Sequence, residues 1–186
     1  MKYTIVFLII IFYSCKAQEP DQKELSYYTL NEVVYDITKQ KKGSKLFFNP
    51  RIVDLKDKLS NDYFGKTILT FVDGNNVALG VNSKKLKKLV VNTDIENIKI
   101  TKPEQDFFET SKFNFPIKIV NQIEKGKSLS NPIYRFSNPV FFDNNKYCII
   151  YYEYYCGIDC GEGNLMIFEK KSETWEIYMT LPIWIV

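Results

Sequence analysis

The chain has 186 residues, 45% hydrophobic and 16% aromatic, which suffices for one domain with a real core and excludes disorder over most of its length. Its 25 basic and 22 acidic side chains nearly balance, so there is no concentrated basic face of the kind that binds nucleic acid. Histidine is absent, which removes Ser-His-Asp and Cys-His nucleophile systems, histidine zinc sites and histidine pH switches.

The N-terminus carries an export pattern. Met1-Lys2 supplies a positive charge, and residues 5–13 (IVFLIIIFY) form an apolar run of nine. A spanning helix needs about 20 apolar residues, so this run has the length of a signal-peptide core instead. Phe12-Tyr13-Ser14-Cys15 follows at once and resembles a bacterial lipobox in the looser form of Bacteroidetes lipoproteins. The strict pattern prefers Leu and Ala/Ser where this chain has Phe12 and Tyr13. That resemblance implies cleavage before Cys15, acylation of its thiol and amine, and a stable lipid anchor. The alternative is an ordinary signal peptide cut near Ala17-Gln18. On the lipobox reading, residues 1–14 are the signal, 15–24 a lipidated tether, and 25–186 a single domain.

Leu30, Val33, Val34 and Ile37 lie at i, i+3, i+4 and i+7, predicting an amphipathic helix over residues 26–40 capped by Ser26 or Thr29. Lys39, Lys41 and Lys42 suit its last turn, and Gly43 suits the position beyond it. Residues 45–48 (KLFF) read as a short strand stopped by Asn49-Pro50, and 53–62 as a weaker helix. Residues 67–72 and 77–81 flank Asp73-Gly74-Asn75-Asn76, a hairpin signal because Gly and Asn tolerate positive φ. The lysine-rich 83–89 segment (SKKLKKL) reads as a solvated helical turn or edge strand, with anionic lipid or an acidic partner as the functional alternative. Residues 113–123 alternate enough for an edge strand, where Pro116 is tolerated.

The C-terminal third carries the densest strand signal. Residues 132–142 contain IYRF and VFF, Asp143-Asn144-Asn145 makes a turn, and strands follow at 147–155, 165–168 and 175–186. Short connections between them predict an antiparallel meander. The whole reads as α+β: an N-terminal helix packed on a mostly antiparallel sheet.

Between two of these strands, residues 156–163 (CGIDCGEG) hold three glycines in eight positions. Extended residues four apart lie about 13 Å apart, whereas a disulfide needs Cα atoms within about 7 Å. Cys156 and Cys160 therefore bond only if the chain reverses between them, which Gly157 and Gly161 permit. A disulfide-pinched loop is the leading reading; reduced structural thiols, a redox pair and a metal site using Asp159 and Cys148 are the alternatives. Cys148 itself reads as a small buried strand residue.

Tyr147, Tyr151 and Tyr155 share one face of their strand and Tyr152 and Tyr154 the other. Tyr151, Tyr155, Asp159 and Glu162 are the candidate contacts for a ligand or partner, as an aromatic platform beside a constrained loop. Glu153, Asp159 and Glu162 offer the alternative of a carboxylate acid/base pair, although such residues are more often solvent-facing. No catalytic residue, metal or cofactor is assigned, and Gly157, Gly161 and Gly163 do not form a phosphate loop.

YYxYYCGxxCGxG followed by a strand, a polar turn and Trp175 resembles the C-terminal part of small Bacteroidetes lipoproteins of no assigned activity. The resemblance covers about residues 132–186 plus the lipobox. It implies an envelope location, outer membrane rather than cytoplasm, without naming an activity. The expectation is a lipid-anchored, non-enzymatic protein that binds an envelope protein or small ligand. The alternatives are a carboxylate-based hydrolase and a purely structural envelope protein.

Overall fold

The computed structural model describes residues 21–59, 61–73, 82–122 and 129–186. The expected signal, Cys15 and the start of the tether lie outside these residues.

Helix α1 spans Gln22–Thr38. It begins four residues before the expected start, because Asp21 accepts from the Lys23 backbone N–H and caps it. Ser26 is no cap: its hydroxyl donates to the Gln22 carbonyl inside the first turn. Any tether therefore ends by Asp21. Lys39 closes the helix in the left-handed region. The predicted stripe of Leu30, Val33, Val34 and Ile37 is buried.

Strands β1 (Leu46–Phe48), β2 (Ile117–Ile119), β3 (Ile133–Phe136), β4 (Val140–Phe142), β5 (Tyr147–Gly157), β6 (Cys160–Lys171) and β7 (Thr174–Ile185) form one sheet. Its order is β2-β1-β3-β5-β6-β7, with β4 also paired to β5. β3 and β4 both run antiparallel to β5, against Phe136↔Tyr152 and Val140↔Ile149. They are two pieces of one strand interrupted at Ser137-Asn138-Pro139. The Ser137 hydroxyl fills the gap by accepting from the Tyr151 backbone N–H at 3.0 Å. The C-terminal meander is present, while β1 pairs parallel with both β2 and β3, so the sheet is mixed. The expected edge strand over 113–123 is confined, among the described residues, to β2.

Two further helices, α2 (Phe64–Asp73) and α3 (Ser83–Asn92), cover the sheet face opposite α1. Residues 67–72 are helical, not the first arm of a hairpin, and 77–81 lie outside the described residues. The strand-like composition of TILTFV yields to tertiary packing, since Phe64 and Ile68, one turn apart, are wholly buried against α3 and the sheet. Residues 83–89 belong to a full helix in which Leu86, Leu89 and Val90 are buried and Asn82 caps the Lys85 N–H. The weak helix expected over 53–62 shrinks to a 3₁₀ turn at Leu55–Asp57. Its beginning is held in extended form because the Ile52 and Val53 N–H groups donate to Asp106 and Phe136 carbonyls.

Alternation along β5 and β6 therefore feeds two cores. Cys148, Ile150, Tyr152, Met166 and Phe168 pack under α1; Ile149, Tyr151, Leu165 and Ile167 pack under α2 and α3. Strands covered on both faces read as continuous apolar runs, which is why 147–152 shows little polar interruption. Cys148 is buried, as expected, and burial pushes its thiol pKa well up.

Candidate functional site: the disulfide end of the sheet

The β5–β6 hairpin turns at Ile158-Asp159. Asp159 sits at φ 50° and Gly157 at φ 133°, a backbone state that glycine adopts without a Cβ clash. The reversal brings Cys156 and Cys160 to a Cα separation of 5.1 Å, and they are joined as a disulfide. Ile158 and Asp159 form an exposed tip. The four candidate contacts expected from the sequence do not gather here. Asp159 is at the tip, Tyr155 and Tyr151 face the α2/α3 side, and Glu162 faces the α1 side.

Tyr151 is wholly buried, so it offers no platform to a ligand. Its hydroxyl donates to Glu153 Oε2 at 3.1 Å and accepts from Trp184 Nε1 at 2.8 Å. Burial, then the neighbouring Glu153 charge, raises its pKa. Gly163 makes this meeting possible: a Cβ there would collide with both the indole nitrogen and the phenol oxygen. Gly161 likewise leaves room for the far edge of the same indole. Trp184 thus lies across a floor of two glycines, with the Tyr155 ring 5.5 Å away. The glycines after Cys160 serve as an indole bed as well as loop hinges.

Glu153, expected to face solvent, is 0% exposed. It stands opposite Arg135 in the β3–β5 register. Arg135 Nη1 reaches Oε1 and Lys58 Nζ reaches Oε2, each at 2.8 Å. A buried carboxylate is tolerable only when paired and hydrogen-bonded, and here two cations and a phenol meet it. A lone Glu in a strand buried on both faces needs cations from elsewhere in the chain. Arg135 comes from the neighbouring strand β3, and Lys58 from the end of the 3₁₀ turn at Leu55–Asp57, where the apolar spacing alone predicts a longer helix.

On the opposite face, Tyr134, Tyr152 and Tyr154 line a pocket of about 330 Å³ with Glu162, Lys39, Pro132 and Cys156. The Tyr152 hydroxyl donates to Glu162 Oε1 at 3.1 Å, and the Tyr134 hydroxyl donates to the Thr38 carbonyl at 3.3 Å. The Tyr134 and Tyr154 rings are 5.6 Å apart. Burial and the Glu162 charge raise the Tyr152 and Tyr154 pKa values. All three phenols therefore stay protonated as donors at neutral pH. Glu153 and Glu162 lie on opposite faces and Asp159 at the tip, so these three carboxylates do not share a pocket as an acid/base pair.

Comparison with family models, curated proteins and solved structures yields no match. Among the described residues, no group of three His, Cys, Asp or Glu side chains is placed to hold a metal, and no helix is long and apolar enough to cross a membrane.

Proposed function

We propose that the protein is a cell-envelope lipoprotein anchored through Cys15, and that its domain binds a small saccharide at the tyrosine pocket beside the disulfide. The observation that carries the binding role is that the half-buried Tyr154 and Glu162 face one pocket, over the buried Tyr134 and Tyr152 and backed by Cys156. An accessible aromatic face such as that of Tyr154 packs on the C–H surface of a sugar ring, while its phenol and the Glu162 carboxylate supply directional hydrogen bonds to the hydroxyls. The disulfide limits movement of the pocket wall, reducing the ordering cost of binding. Anchoring is supported by the charged start, the apolar run and Ser14-Cys15. Six residue steps separate Cys15 from the capping Asp21, so the domain would stand within about 20 Å of its acyl chains.

Two measurements test this. Intact mass of the chain from native membranes is expected to begin at Cys15 with added acyl groups; an unacylated chain beginning beyond Ala17 refutes the anchor. A saccharide panel is screened against the parent protein, and each hit is retested on Tyr154→Ala and Glu162→Gln. A loss of about tenfold in affinity, or 1.4 kcal/mol, is expected for each variant. Hits that bind both variants as tightly as the parent would remove the pocket from the function.

A further inference from the structure

At the other end of the sheet, α3 and the starts and ends of β5, β6 and β7 enclose a second cleft of about 430 Å³. Its charge is lopsided. Lys85 and Lys88 line it from one face of α3, Lys146 and Lys171 from across the sheet, and only Asp143 and Glu169 are acidic.

Glu169 is already occupied. Lys171 Nζ lies 2.7 Å and Lys146 Nζ 3.8 Å from its oxygens, and the Tyr147 hydroxyl donates to it at 3.2 Å. The Lys171 hydrogen bond, foremost, holds its pKa below the usual carboxylate range. Lys85 is half-buried and fixed. Its ammonium donates to the Tyr178 carbonyl and lies 4.0 Å from the centre of the Tyr178 ring, while the Tyr178 hydroxyl donates back to the Lys85 carbonyl. Neither contact supplies a negative charge. Lys88, one turn on, forms no ion pair with the described residues. Asp94, which accepts from the Asp143 N–H, and Glu176, which acts on Lys171, also border the cleft. The unmatched positive charge is therefore that of Lys85 and Lys88, which form no ion pair with the described residues. The C-terminal dipole of α3, about half a charge at most, does not cancel it.

We propose that this cleft binds a phosphate group. Arginine meets both carboxylate and phosphate through its planar fork, whereas lysines act as compact point charges that can approach a tetrahedral oxyanion from several sides. Here every cation lining the cleft is a lysine. Asn92 and Thr93 add neutral polar groups at its rim. A phosphate on a soluble metabolite and one in a phospholipid headgroup present the same chemistry, so each needs its own probe.

The test uses the full chain in detergent, titrated at constant ionic strength with pyrophosphate and separately with dihexanoyl-phosphatidylglycerol. Lys88→Gln combined with Lys146→Gln spares the Lys85 clamp and is expected to weaken binding by about tenfold or more. Lys84→Gln with Lys87→Gln removes the same number of charges from α3 and is expected to change affinity less than about twofold, since neither ammonium lines the cleft and each would act on the phosphate only through screened, longer-range charge. Response to pyrophosphate identifies a soluble source, and response to the lipid alone identifies a headgroup. Equal losses in both double variants, or no saturable binding of either probe, would overturn the proposal.

Discussion

Replacing Glu153 by Gln is the sharpest probe of how the disulfide end is held. The substitution conserves volume but removes the one charge that Arg135 and Lys58 share inside the sheet. Breaking a buried pair costs about 3–5 kcal/mol when the orphaned charge stays buried. The Lys58 and Arg135 side chains are 26% and 20% exposed, so each can turn partly toward water. That places the expected loss near the lower bound, about 3 kcal/mol, or roughly 6–12 °C in Tm for a domain of this size. Lys58→Gln leaves the Arg135 contact in place and is expected to cost about 1 kcal/mol, the scale of a single partly screened pair. Urea unfolding followed by tryptophan emission measures both, because Trp184 reports on the same network through Tyr151. A Glu153→Gln protein within about 0.5 kcal/mol of the parent would refute the view that this carboxylate anchors the sheet.

Gly163→Ala is expected to destabilise by about 2–4 kcal/mol, combining overpacking with the loss of the Trp184–Tyr151 hydrogen bond; an unshifted urea midpoint would show that the indole can move aside. Cys156→Ser with Cys160→Ser opens a loop of five residues, for which chain entropy gives about 2 kcal/mol, so the domain should remain folded while affinity at the tyrosine pocket falls. A reduced-loop protein that unfolds outright would contradict this. Tyr134, Tyr151, Tyr152, Tyr154 and Tyr155 all have pKa values raised by burial. In the unfolded chain they titrate near 10, so above that pH the folded state holds more protons and stability declines as pH rises. Absorbance at alkaline pH should therefore show these phenols ionising together with unfolding. Reversible ionisation of every tyrosine in a still-folded chain would argue against their burial.

Parts of the fold were legible because they rest on local periodicity. Leu30, Val33, Val34 and Ile37 define the buried face of α1 whatever lies beneath it. The tyrosine run, the Asp143-Asn144-Asn145 turn, whose three residues all take positive φ, and the reversal between Cys156 and Cys160 are set by residues close in the chain. The same local logic misread residues 67–72. Branched and aromatic residues favour a strand on their own, yet Ile68 is buried in a helix that packs between α3 and the sheet. Glu162 stands out in the sequence as a candidate contact, whereas the tyrosines gathered around it do not, since Tyr134 comes from a different strand.

From the sequence alone follow the strand-rich C-terminal third, the amphipathic first helix, a glycine-rich loop able to reverse between its two cysteines, and the absence of histidine chemistry. Each depends on composition or on residues within a few positions of one another. Tertiary structure decided which face of β5 each tyrosine joins, that Glu153 is buried, and that Lys58 and Arg135 compensate it. It also decided that Lys85 and Lys88 meet Lys146 and Lys171 across a cleft. Burial and charge pairing are properties of residues far apart in sequence, and only packing α2 and α3 against the sheet brings them together.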